Sequence, residues 1–219
     1  MRCCQHCKVT PMPRVNCSGW SRSIRRLPVL TNTRPGRPSR PRGARSNHKN
    51  LRLEPDDHAL GRSRGGWSTK THLSVDHIGR PLSVRLTPGQ AGDNPQLLPL
   101  LDDIAIGARG GVGRPRKRPS TVLADKAYSH PSTRKALRRR GIRIVIPEKS
   151  DQIAYRKNKG AAGGRPPVFD AEAYRDRNVV ERAFNRLKGW RAIATRYDKN
   201  ARNYRAGVIL ASIILFWLP

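Results

Sequence analysis

The segment YRDRNVVERAFNRLKGW, residues 174 to 190, sets one acid, Glu181, among Arg175, Arg177, Arg182, Arg186 and Lys188. Residues three or four apart share a helical face. At that spacing Val180, Ala183, Phe184 and Leu187 form an apolar stripe, and Arg177, Glu181, Asn185 and Lys188 form a polar one beside it. The plainest reading is a solvated face with one ion pair four residues apart. A second acid widens the possibilities. STVLADKAY, residues 120 to 128, reads as a short apolar strand that ends on Asp125, where the alternative is an ordinary turn residue. Two carboxylates brought together in a basic cleft repel one another unless a divalent cation lies between them, and hard oxygen ligands select magnesium or manganese. Such ions activate a water or a 3′ hydroxyl and steady the leaving oxygen in phosphoryl transfer. Neighbouring bases, Lys126, Arg177, Arg182, Arg186 and Lys188, would then hold a DNA backbone.

These residues need elements to position them. STKTHLSVD and PLSVRLTPG alternate around the turn HIGR and predict an antiparallel hairpin. NPQLLPLLDDI predicts a helix, with Asn94 as cap and Pro95 in its first turn. The strand ending at Asp125, the basic helix HPSTRKALRRRG stopped by Gly141, and the strand IRIVIP form a crossover unit. Its two strands should be parallel neighbours, with functional groups at their carboxyl ends. Residues 149 to 168 read as a flexible basic stretch leading to a long helix capped by Asp170. The C-terminal run GVILASIILFWLP is too short to span a bilayer and reads as a buried final helix.

Composition names the ligand class. The chain has 219 residues, with 45 Lys and Arg against 15 Asp and Glu, a formal charge of +30. So large an excess repels itself unless an anion offsets it, and nucleic acid is the obvious partner. Residues 1 to 53 carry 13 Lys and Arg, no acid, six prolines and a single aromatic, Trp20, so this head is expected to be disordered. Cys4 and Cys7 with His6 between them resemble half a zinc site, but the second half is absent from the sequence. Residues 1 to 20 lack the apolar core of a signal peptide. RNA binding suits the charge equally, although the twelve aromatic residues form no recognisable stacking platform.

The spacing of Tyr174, Arg177, Glu181 and Lys188 reproduces the Y-R-E-K signature of bacterial insertion-sequence DDE transposases, which residues 54 to 219 resemble. LADKAY is similar to that family's second-Asp motif, and residues 65 to 104 to the hairpin before it. The resemblance implies an RNase H-like mixed α/β sheet with flanking helices. It also implies that Asp125 and Glu181 ligate catalytic Mg2+ or Mn2+, with Arg177 and Lys188 contacting transposon-end DNA or supporting Glu181. The implied partners are double-stranded DNA at element ends and target, and a homo-oligomer formed on it. The implied place is the bacterial cytoplasm, at the nucleoid and not a membrane.

One part of the pattern is missing. The family carries a third carboxylate on its first strand, in a motif V-D-S-T followed by R-A-H-Q-H, and no such string occurs here. Glu54, Asp56 and Asp57 stand in a segment similar to the linker after that strand, and Asp76 where the family has an ordinary hairpin residue. Triplets read one base earlier across residues 20 to 35 can spell Val-Ser-Val-Asp-Ser-Thr-Ala-Ala-Arg-Ala-His-Gln-His-Ala-Ala, the Asp arising if the Ser23 codon ends in G. The expectation is therefore a domain at 54 to 219 preceded by an out-of-frame segment at 1 to 53, with the first strand missing and catalysis impaired. The competing expectation is a non-catalytic basic protein that occupies element ends.

Overall fold

The computed structural model describes residues 26–35, 55–63, 66–107 and 113–218. Its strands are β1 (Arg26–Pro35), β2 (Gly61–Ser63), β3 (Gly66–Val75), β4 (Pro81–Pro88), β5 (Thr121–Ala124) and β6 (Arg143–Val145). Its helices are α1 (Leu97–Asp102), α2 (Pro131–Arg139), α3 (Ser150–Asn158), α4 (Ala171–Arg175), α5 (Asn178–Lys188), α6 (Arg191–Thr195) and α7 (Ala201–Phe216). The fold is mixed α/β.

β3 and β4 form the expected hairpin, closed by a turn in which Gly79 has φ +95°. Asp76 organises that turn: its buried carboxylate accepts from Ile78 N, Arg80 N and Arg80 Nε, so it is a structural acid. β2 and β4 take successive stretches of one edge of β3, and β1 takes the other edge. β1 then runs parallel to β5, and β5 parallel to β6. The order across the sheet is thus β4, β3, β1, β5, β6, antiparallel on one side and parallel on the other.

The strand β1 corrects the expectation that the first strand is missing and that residues 26–35 are disordered. Val29 to Pro35 pair with Ser74 to Ser68, while Arg26 to Val29 pair with Thr121 to Ala124. Pairing uses backbone groups that nearly every residue carries, and both flanking strands offer an edge. Val29, Thr31 and Thr33 are β-branched and favour extended backbone. Pro28, opposite Leu123, removes one ladder donor from an interior strand, which weakens but does not prevent the pairing. The rest of the head, residues 1–25 and 36–54, lies outside the described residues.

Helices cover both faces. Val122 and Ala124 of β5 pack with Leu97, Leu100, Leu101, Leu137 and Ile142 beneath α1 and α2. On the other face Leu73, Val75 and Val84 pack with Val180, Ala183, Phe184 and Leu187 of α5 and with Tyr204, Val208 and Ala211 of α7. The stripe read from the sequence is therefore the buried face of α5. Three local expectations change. The stretch 149 to 168 contains α3, its N-terminus holding Asp151 and its last turn Arg156 and Lys157, charges that favour a helix dipole. The long helix is broken into α4, capped by Asp170 accepting from Ala173 N at 2.9 Å, and α5, with Asp176 and Arg177 between them. The final helix α7 is only half buried, with Leu210, Ile213 and Ile214 exposed, because an apolar run longer than one face cannot all reach the sheet.

Candidate active site

Asp125 follows β5 directly. Side chains alternate along a strand, so Asp125 shares a face with Leu123, which packs with Val145 and Ala173, and not with Val122 and Ala124. That alternation directs the acid to the side covered by α4 and α5. Its Oδ1 accepts from Lys126 N at 2.6 Å, capping a 3-10 turn anchored by buried Tyr128. Arg134 of α2, almost wholly buried, donates to Ile146 O at 2.7 Å and to Ser129 O at 3.3 Å. It ties the turn after Asp125 to the end of β6, and burial lowers the pKa of its guanidinium.

Glu181 stands in the first turn of α5, next to Val180, which is fully buried against the sheet. Its Oε1 accepts from Arg177 Nη2 at 2.7 Å, with the Glu181 side chain 44% exposed. The plain ion pair considered from the sequence therefore exists, and it is solvent-accessible.

Tyr174 joins the two acids. It packs against Leu123, Val145 and Ala173, with its ring 5.3 Å from that of Phe169 and the Arg177 guanidinium 5.4 Å from its centroid. Burial raises the pKa of its phenol; Arg177 opposes this, and the charges of Asp125 and Glu181 add to it. Tyr174 thus lies between the two elements: it packs on Leu123 of the strand that precedes Asp125, and its ring neighbours the Arg177 that binds Glu181. Among the described residues no group of three His, Cys, Asp or Glu side chains gathers at any point.

The bases divide. Lys126, Arg182 and Lys188 are exposed. Lys188 lies seven residues beyond Glu181 on the same face, roughly 10 Å along the axis. Arg177 is committed to Glu181. Arg186 donates to Leu215 O at 2.6 Å and lies 4.3 Å from the centroid of Phe216, so it also fastens the end of α7. In the basic helix α2, Arg134 is buried in the fold and Arg140 just beyond it pairs with Asp102 at 2.7 Å, leaving Lys135, Arg138 and Arg139 exposed.

Sequence reasoning missed the structural work of Arg134 and of Arg196. Arg196, at φ +46° and 1% exposed, donates to Thr69 Oγ1 and to the carbonyls of His58 and Lys199. Arg134 lies three residues before Leu137 on the buried stripe of α2, a signal that was present but looks the same as its basic neighbours. For Arg196 no local signal exists, since its partners come from distant segments.

The sheet is thus mixed, with one acid at the end of β5, one in the first turn of α5, and Tyr174 packed between their elements. The chain belongs to the transposase DDE domain family, whose pattern matches residues 47–216. It is 34% identical over 156 residues to a protein of Burkholderia cepacia named as a transposase for insertion sequence element IS402; this covers 71% of the chain and 65% of the relative. It is 32% identical over 151 residues to one of Brucella ovis named for element IS6501, covering 69% of the chain and 98% of the relative. No solved structure matches it.

Proposed function

We infer that this chain is the catalytic domain of an insertion-sequence transposase, acting on double-stranded DNA at element ends and impaired in this copy. The observation that carries the reading is the position of Tyr174, packed on Leu123 of the strand before Asp125 and 5.4 Å from the Arg177 guanidinium that binds Glu181. The strand order, with three antiparallel strands followed by two parallel ones, supports an RNase H-like fold. Two carboxylates are donors that suit magnesium or manganese, with water and substrate phosphate completing the shell. Asp125 and Glu181 would hold that cation, which when bound supplies an activated water or 3′ hydroxyl and steadies the leaving oxygen. The protein's own part is positioning. Arg134 and the 3-10 turn fix Asp125, the apolar stripe of α5 fixes Glu181, and Lys126, Arg182 and Lys188 attract the phosphates.

Impairment rests on the third ligand. β1 lies between β3 and β5 but holds no Asp or Glu, and the family match begins at residue 47, after it. This supports an out-of-frame origin for the head. A second reading, a DNA-binding protein without catalysis, gains weight from the want of a three-acid group among the described residues.

The test is cleavage of duplexes carrying the cognate element ends, across a magnesium titration. Weak or absent cleavage is expected, with tight binding that falls steeply as salt rises. Any cleavage seen should vanish in Asp125→Asn and Glu181→Gln. Cleavage that survives Glu181→Gln refutes the site assignment, and affinity unaffected by salt refutes the phosphate-binding role.

A further inference from the structure

Helix α7 buries one flank and leaves the other in solvent. Tyr204, Val208 and Ala211 pack in the core with α5, whereas Arg202, Ala206, Ile209 and Ile213 recur at helical spacing and are exposed. Leu210 and Ile214 widen this exposed row. From Arg202 to Ile213 the row runs about three turns, roughly 16 Å, with its cation at the N-terminal end and its large apolar residues beyond.

Between this flank and β4 lies a groove in two parts. The first, about 510 Å³, holds Arg85, Arg202 and Arg205 around a single acid, Asp103, over an apolar floor that includes Leu86 and Ile209. The second, about 170 Å³, shares Arg205 and Ile209 with the first and is lined mainly by apolar groups, Pro81, Ile213 and Trp217 among them. Two of the guanidiniums are set in place. Arg205 Nε donates to Val84 O at 2.8 Å, and both oxygens of Asp103 accept from Arg85, Oδ1 from Nη2 at 2.9 Å. The Arg202 side chain is exposed and has no hydrogen bond among the described residues. Held guanidiniums suit carboxylates, because little side-chain freedom remains to be lost on binding.

The mixture of charge and hydrocarbon selects among occupants. A phosphodiester backbone could meet the arginines, but it would leave Ile209, Leu210, Ile213 and Ile214 against hydrated charge and bury no apolar area. A flat bilayer could cover the apolar row but could not enter a groove to reach Arg85. A second copy would set the same arginines against one another on a chain whose formal charge is already +30. The segments of this chain outside the described residues hold one acid, Glu54, so none of them is an acidic complement. What fits is a foreign segment with carboxylates at one end and bulky apolar side chains at the other.

We propose that the α7–β4 groove is a docking site for an acidic amphipathic helix of another protein, its carboxylates on Arg202 and Arg205 and a leucine-sized side chain in the smaller pocket beside Ile213 and Trp217. A helix laid in a groove presents such anchors every third or fourth residue, the spacing that α7 itself presents. The site uses neither Asp125 nor Glu181 and does not depend on the reading of their cleft.

The test uses the full chain, cleared of nucleic acid with nuclease, and a fluorescein-labelled peptide of about four helical turns. Its leucines recur every third or fourth residue and its glutamates gather at one end. A scrambled peptide of the same composition carries the same charge and controls for the basic surface at large. Anisotropy should show the patterned peptide binding at least about tenfold more tightly than the scrambled one. Arg202→Glu and Ile213→Asp should each lower the affinity for the patterned peptide by about tenfold, and Arg202→Lys should stay near the parent. Both side chains are exposed, so the helical circular dichroism of the variants should coincide with that of the parent. Equal binding of the two peptides overturns the proposal, as does a patterned peptide indifferent to either charge-adding substitution. If instead a short DNA duplex or phosphatidylglycerol vesicles lose about tenfold in affinity with both substitutions, the groove is a nucleic-acid or membrane surface. A peptide-free dimer seen by light scattering and lost in Ile213→Asp makes it a contact between copies. Each of these results also overturns the proposal.

Discussion

On the site proposed above, Leu30→Asp should add a third acid to Asp125 and Glu181. Continuing the parallel register by one residue beyond Val29 and Ala124 sets Leu30 beside Asp125. Leu30 also pairs with Leu73, whose side chain packs on α5, so both registers assign this position to the face of Glu181. Adjacent strands lie about 4.8 Å apart, and two like charges at about 5 Å repel by roughly 3 kcal/mol at an effective dielectric of 20. Without a divalent ion the variant should therefore melt some 6 to 12 °C below Leu30→Asn, from roughly 2 to 4 °C per kcal/mol at this chain length. Magnesium at millimolar levels should recover most of that loss, whereas the parent should respond weakly. Leu30→Asn is the control, because it removes the apolar side chain without adding charge. It should be destabilised and gain nothing from the metal. Scanning calorimetry with magnesium or with chelator measures all three proteins. An Asp variant whose magnesium response equals that of the Asn variant would show that the register or the face is wrong.

Further expectations concern folding and origin. His72 is buried, its Nε2 sharing a hydrogen bond of 2.8 Å with Thr87 Oγ1, and burial above all lowers its pKa to about 4 from 6.5. The unfolded chain binds the proton first, so this stability is complete above pH 6.5 and is lost as pH falls towards 4, by up to about 3 kcal/mol. Urea midpoints measured across that range should fall in the parent and stay flatter in His72→Gln. Phe184→Ala should cost about 3 to 5 kcal/mol by opening a cavity beneath α5, and a loss below 1 kcal/mol in denaturant titration would contradict the packing described. In the gene, the Ser23 codon should end in G and the shifted frame should stay open from about Trp20 to the region before Glu54. Any other third base removes the Asp and ends the frame argument.

The recoverable Asp falls at the junction of Ser23 and Ile24, some residues before Val29, the β1 residue paired with the last residue of β5.

Much of the local structure was legible in the chain. Alternation marked β3 and β4, short strand runs in a crossover unit marked β5 and β6, the spacing of Val180, Ala183, Phe184 and Leu187 marked the buried face of α5, and Asp125 was readable as a strand-end acid. Such patterns depend on neighbours two, three or four residues away, and those neighbours are printed in order. Only the tertiary structure decided that β1 fills the sheet, that Tyr174 packs on the strand before Asp125 beside the Arg177 that binds Glu181, that Arg134 and Arg196 leave the pool of surface cations, and that α7 turns an apolar face outward. Each of these depends on partners far apart in the chain. A basic residue looks the same in sequence whether it meets water, a phosphate or a buried carbonyl, and which of these it meets is fixed only when distant backbone is brought to it.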